Sequence, residues 1–357
     1  MRRPFRQNLY DLDLPTLQAL LESWGEAPYR ARQLWEWLYI HLADRFEQMS
    51  NLPRSLREKL AAETAIGAPE RIASQLSRSG ETRKDLLRLA DGETIEVVLM
   101  HYDQRHTACI SSQAGCPLGC RFCATGQSGF QRDLSAGEIV AQALHVARQL
   151  QATGKRLSNV VMMGMGEPLL NYDAALTAIR RLIDPQGFRL GQRHVTLSTA
   201  GIVPGIDRLA DEGLQITLAV SLHAATDDLR DQLLPINRRY PLDALFAACY
   251  RYCARGGRRI SFEWALIDGV NDSPQQAQAL AARLQGITAH VNLIPLNPTP
   301  AYPGQPSSPQ AVQAFSAVLE RLHVPHTVRT RRGIEIEAGC GQLRRQSPRP
   351  GAPLQKD

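Results

Sequence analysis

From about residue 70 onward, short runs rich in β-branched residues alternate with helical segments, and this alternation restricts the fold more than any other feature of the chain. The runs are "TACISSQ", "NVVMMGMGEP", "HVTLSTAG", "QITLAVSLHA", "RISFEWALI" and "HVNLIPLN", each bounded by Gly, Pro or Asn. They read as buried parallel strands. Between them lie helix starts: Ser135 with Glu138 forms a capping box ahead of Ile139, Ala143, Ala147 and Leu150, and Ser273-Pro274 and Ser308-Pro309 place a cap before a first-turn proline. Val312, Phe315, Leu319 and Leu322 mark one apolar helix face. Six strand-helix units predict an α/β fold, a partial (β/α)6 barrel with its chemistry at the C-terminal strand ends.

Residues 1–70 differ, with helical patterns such as "LPTLQALLESWG" and "PYRARQLWEWLY", and are expected to form a small helical accessory domain, a second contact for a polyanionic partner. Trp24, Trp35 and Trp37 are read as packing residues. A β-hairpin linker is expected over 71–104, the barrel with a C-terminal loop over 105–345, and a disordered basic tail over 346–357. The 357 residues, 43% hydrophobic and 21% charged, suit a globular chain that can bury a large core. No apolar run is long enough for a membrane span, and the start turns acidic where a signal peptide would turn apolar, so a cytoplasmic, non-membrane protein is expected. A formal charge of +6 suits a polyanionic partner. Seven cysteines, an odd number in a long chain, argue for metal or redox chemistry over a secreted disulfide framework.

The stretch "GCPLGCRFCATG" places Cys116, Cys120 and Cys123 directly after the first barrel strand. Structural zinc normally takes four protein ligands, and here the local run stops at three. A 4Fe–4S cluster held by three thiolates keeps one iron for another ligand. A zinc site or buried structural thiols is the plainer alternative. The Cys-x3-Cys-x2-Cys spacing, with Phe122 before the last thiol, resembles the signature of radical S-adenosylmethionine (SAM) enzymes, whose open iron chelates SAM. That resemblance implies a 4Fe–4S cluster and SAM as cofactors, with Cys116, Cys120 and Cys123 as metal ligands. It also implies SAM contacts from Gly166 and Glu167 in "MGMGEP", Ser198 in "LSTAG", Ser221, Leu222 and His223 in "SLHA", and Asn297 in "PLNP".

From the helical N-terminus to "EAGCGQL" the chain resembles the RlmN type of RNA methyltransferase. The most diagnostic residues are two cysteines outside the loop, Cys109 on the first strand and Cys340 between glycines near the C-terminus. Adenine C2 is electron-poor and will not attack the SAM methyl, whereas a thiolate will. The resemblance implies that Cys340 is methylated first and that a radical formed from a second SAM takes a hydrogen atom from the S-methyl group. The resulting carbon radical adds to C2, and a Cys109–Cys340 disulfide releases the methylated base. Glu96 in "ETIEVVLM" matches the family's proton acceptor. The implied partners are 23S ribosomal RNA near the peptidyl transferase centre, transfer RNA beside the anticodon, an electron donor such as flavodoxin, and a thiol reductant. A monomer is expected.

Arg329, Arg331 and Arg332, with Arg344 and Arg345, are expected to surround the site with charge that binds phosphate, and the target base must leave its stack. Cys249 and Cys253 share a helix face and are read as packing. The chain departs from the family pattern at Ala200, where a second serine is common, and in the approach "RRGIEIEAGCGQL". Three readings stay open beside C2 methylation: a C8-directed RNA methyltransferase, a radical SAM enzyme on a peptide or small molecule, and a metal-stabilised RNA-binding module.

Overall fold

The computed structural model describes residues 6–344, in which ten strands form one sheet whose spatial order follows the chain. They are β1 (Glu70–Leu76), β2 (Thr82–Arg88), β3 (Thr94–Tyr102), β4 (Arg105–Cys109), β5 (Asn159–Met162), β6 (Val195–Thr199), β7 (Thr217–Ser221), β8 (Ile260–Leu266), β9 (Ala289–Pro295) and β10 (His326–Val328). β1 to β4 pair antiparallel, and β4 to β10 pair parallel throughout. Such an order results when each right-handed crossover lays its strand beside the last. The six predicted parallel strands are β4 to β9. β10 is a seventh, only three residues long and too short to show a period. The first and last strands do not pair with each other, so the barrel is open, as predicted.

The hairpin strands predicted as a linker extend the barrel sheet itself. Val98 on β3 lies opposite Cys109 on β4, and Lys84 on β2 lies opposite Val98. Side chains alternate across a sheet, so Lys84, Glu96 and Cys109 share one face. The N-terminal helices Leu14–Ser23, Tyr29–Tyr39 and Arg54–Glu63 form as predicted. Their buried residues Leu17, Leu21, Trp35 and Leu38 belong to the same apolar cluster as barrel residues such as Ile139 and Ile179. Polar contacts reinforce that junction: Gly137 N donates to Asp11 Oδ1 at 2.7 Å, and Trp35 Nε1 donates to Asp184 Oδ2 at 3.0 Å. A Cβ at residue 137 would lie 2.6 Å from Asp11 Oδ1, so this approach requires glycine.

The predicted caps hold: Ser135 forms a capping box with Glu138, and Ser273 and Ser308 cap helices that begin with proline. One apolar face is narrower than predicted. Phe315 and Leu319 are buried, but Leu322 is 45% exposed because it ends its helix beyond the sheet's cover. Trp35 is buried, and Trp24 and Trp37 pack partly against the core. No helix among the described residues is long and apolar enough to cross a membrane. The tail over 346–357 and Arg345 lie outside the described residues.

Candidate active site

At the C-terminal ends of the parallel strands an open cavity gathers Cys116, Cys120 and Cys123 on one side and the ends of β5 to β9 on the other. Cys123 caps a short helix, Ala124–Gln127, which turns the thiol loop back toward the sheet. The C-terminal loop is sewn onto it: Ala124 N donates to Gly341 O at 2.7 Å and Thr125 Oγ1 to Leu343 O at 2.5 Å. Cys340 is thereby brought to the wall the three thiols occupy.

Do these residues fit a three-thiolate cluster and SAM? Burial pushes the Cys116 thiol up to about 12, and it pushes Cys120 well above its ordinary value, with Cys123 and Cys116 adding like-charge repulsion. Thiols packed so closely are costly to ionise unless a metal takes the charge. Among the described residues no three His, Cys, Asp or Glu side chains converge on one point as a single ion requires. A cube instead binds each thiolate on a separate iron, so the thiols need only border a common space. Across the cavity, Asn297 Oδ1 is buried with no hydrogen-bond partner among the described residues, an acceptor aimed at a missing donor. The donor set fits both groups.

Gly166, Glu167, Ser198, Ser221, His223 and Asn297 all line this cavity. Gly166 has φ +99°, and a Cβ there would sit 2.6 Å from Gln113 Cβ. Burial raises Glu167 to about 7, while backbone donors at Ala200 and Leu169 pull the other way. A bound cation would favour its charged form. Ala265 N donates to His223 Nδ1 at 2.9 Å, so the ring proton sits on Nε2, and burial lowers its pKa to about 3. His223 is a neutral donor in the cavity wall. Leu222, between Ser221 and His223 in the chain, is fully buried and does not line the cavity; its N–H donates to Glu263 O and its carbonyl accepts from Arg230 Nε.

Cys109 lies behind this wall, buried on β4, and its thiol is raised first by burial and then by the Cys340 thiol. Cys340 is exposed and lines the cavity, where surrounding protein and the Glu263 carboxylate push its thiol up. Glu96 departs from its predicted place facing the site. It is 0% exposed, does not line the cavity, pairs with Lys84 Nζ at 3.0 Å through Oε1, and accepts Arg344 N at 2.8 Å through Oε2. Lys84 also donates to Glu337 O at 3.2 Å. This buried pair straps down both ends of the loop carrying Cys340. The predicted arginine ring is partly neutralised: Arg332 pairs with Glu81 and stacks over Tyr102, and Arg344 pairs with Glu337, whereas Arg329 and Arg331 are exposed. Cys249 is buried in the core and Cys253 packs against it, as predicted.

Sequence reasoning missed three residues. Arg230, fully buried, donates to the carbonyls of Ala200, Ser221 and Leu222 and so holds the ends of β6 and β7 together. Lys84 lies in the segment expected as a hairpin linker, where no local pattern sets it apart. Glu263 lines the cavity from β8, and its one visible signal is a carboxylate inside the apolar run "ISFEWAL".

The Radical SAM superfamily model matches residues 110–280, and the model of the ribosomal RNA large subunit methyltransferase N-terminal domain matches residues 7–66. The chain is 53% identical over 337 residues to the dual-specificity RNA methyltransferase RlmN 1 of Myxococcus xanthus, covering 94% of each chain. It is 51% identical over 346 residues to the probable dual-specificity RNA methyltransferase RlmN of Chloroflexus aurantiacus, covering 94% of this chain and 92% of that one. A crystal structure of a radical SAM methyltransferase from Sphaerobacter thermophilus, 49% identical, superposes with a TM-score of 0.93 over 95% of this chain and 99% of that one. With likeness of this extent along nearly the whole chain, the protein belongs to the RlmN-type RNA methyltransferases of the radical SAM superfamily, SAM-dependent enzymes that work with a 4Fe–4S cluster.

Proposed function

We propose that this enzyme methylates C2 of an adenosine, in 23S ribosomal RNA near the peptidyl transferase centre and in transfer RNA beside the anticodon, through an S-methyl group carried on Cys340. The observation that carries this reading is that Cys340 shares a cavity with the three loop thiols while the Cys109 thiol lies within its electrostatic reach. The dual-specificity names of the relatives support two RNA substrates.

In this reading Cys116, Cys120 and Cys123 hold the cluster, and Gly166, Glu167, Ser198, Ser221, His223 and Asn297 orient SAM. Bound there, the two groups supply the electron and the hydrogen-abstracting carbon radical that polar chemistry at C2 lacks. Cys340 accepts the methyl as a sulfur nucleophile and presents it to the base, and Asn297 Nδ2, which donates to Cys340 O at 3.1 Å, helps fix the loop's register. Cys109, on the sheet behind it, closes the disulfide that frees the product, and a thiol reductant restores both sulfurs. Arg329 and Arg331 bind phosphate without reading sequence while a flipped adenine enters the cavity mouth. A cytoplasmic monomer fed by a flavodoxin-type donor belongs to the same proposal.

The test is mass spectrometry of digested ribosomal and transfer RNA after incubation with labelled SAM. Wild type is expected to give 2-methyladenosine, and Cys340→Ala and Cys109→Ala to lose it. An 8-methyl product, or a 2-methyl product that survives Cys340→Ala, overturns the assignment.

A further inference from the structure

Glu263 is the cavity's second carboxylate, and its hydrogen bonding is lopsided. It is 6% exposed on β8 and lines the cavity together with Cys340. Ser261 Oγ at 3.0 Å and Asn292 Nδ2 at 2.8 Å both donate to Oε1, and among the described residues Oε2 receives no hydrogen bond. One oxygen is pinned by neighbours on β8 and β9, which leaves the other for the cavity. Both groups border that one cavity, where the Glu263 carboxylate disfavours the Cys340 thiolate and the Arg329 guanidinium favours the charged form of each. Glu96 does not compete for this position, since both its oxygens are taken by Lys84 and the Arg344 amide.

We infer that Glu263 takes the proton from the Cys340 thiol as that sulfur is methylated, an inference that rests on the S-methyl reading above. Cys340 Sγ bonds to the methyl carbon, and the bond from that carbon to the sulfonium sulfur breaks with its electron pair returning to that sulfur. The thiol proton moves to Glu263 Oε2. The products are S-methylcysteine, S-adenosylhomocysteine and a neutral carboxylic acid, and no oxidant or reductant enters. The step removes a carboxylate charge and a sulfonium charge together, which a cavity poor in water favours. Burial also raises Glu263 above the ordinary carboxylate range, which makes it a stronger acceptor.

The test uses cluster-loaded protein and methyl-labelled SAM without RNA, following the label on residue 340 by peptide mass. Glu263→Gln is expected to slow labelling about 100-fold while equilibrium dialysis shows SAM retained within about twofold of wild type. In the absence of SAM, iodoacetamide should alkylate Cys340 about threefold faster in the same variant, because a neutral amide no longer opposes the thiolate. Glu263→Asp should recover at least about tenfold of the lost labelling rate. The inference is overturned by labelling at the wild-type rate, by alkylation that slows along with labelling as a collapsed loop would give, by an aspartate no better than glutamine, or by lost SAM retention. Absence of label at residue 340 in wild type sinks the S-methyl reading itself; a labelled wild type with an unaffected Glu263→Gln sinks this inference alone.

Discussion

Glu96 and Glu263 are carboxylates on the same sheet, both nearly sealed from solvent, and their surroundings give them opposite characters. On the β2–β3 side, a lysine and a backbone amide take both oxygens of Glu96, and the pair clamps the loop that bears Cys340. On the β8 side, two neutral donors share one oxygen of Glu263 and leave the other to the cavity. Depth of burial is therefore a poor guide to a carboxylate's role. What differs is the count of oxygens already committed and whether a cation is bonded directly to them: Lys84 pairs with Glu96, while Arg329 acts on Glu263 without a direct ion pair among the described residues.

The sharpest way to break the comparison is Lys84→Met. It strands a buried carboxylate and removes a strap, and it should cost about 3 kcal/mol by denaturant unfolding. Adding Glu96→Leu should return at least half of that, because paired apolar side chains often replace a buried ion pair well. A loss below about 1 kcal/mol in the single variant would mean that Glu96 is not held by Lys84 at all.

Next in size is a pH effect on the cavity wall between the two carboxylates. His223 has a folded pKa of about 3 against an ordinary 6.5, so the unfolded chain takes up a proton that the folded chain refuses. Stability should fall as pH drops below 6.5, by about 1 kcal/mol over the first unit and about 1.4 kcal/mol per unit after that, and the loss should continue toward pH 3. Glu167, raised to about 7, acts in the opposite sense, losing stability as pH rises from 4.5 toward 7. The difference between wild type and His223→Asn isolates the histidine, and asparagine tolerates the left-handed φ of +58° there. Parallel acid limbs in the two proteins would refute the neutral histidine.

A smaller effect sharpens the contrast. Glu263→Gln keeps the donors to one oxygen and removes a buried charge, so unfolding should change by less than about 1 kcal/mol even though Cys340 methylation falls. A Lys84-sized loss would make Glu263 an anchor too. The smallest effect lies outside both regions: Leu322→Lys, at an exposed helix end, should stay within about 0.5 kcal/mol by thermal melting.

Much of this protein was legible in the sequence because the signals are local. The thiol spacing, the serine caps and the alternation of strand and helix each span a few residues, and backbone geometry alone turns them into a loop, a helix start or a strand. Glycine at 166 came from the resemblance of "MGMGEP" to a family motif, and the polar residues at later strand ends also suit the position of active sites in parallel β/α folds. Leu222 shows the limit of that rule: a strand-end residue can face either side, and this one is not among the residues that line the cavity.

What only the tertiary structure decided depends on neighbours far apart in the chain. Arg344 and Glu96 meet across 248 positions, so no window of sequence could reveal that a hairpin glutamate anchors the C-terminal loop. The charge state of a buried group is a property of its surroundings, and those surroundings exist only once β2, β3, β8 and β9 have been laid side by side. The sequence determined which chemical groups are present and where the backbone turns; the fold determined which carboxylate pairs with a lysine and which shares a cavity with a thiol.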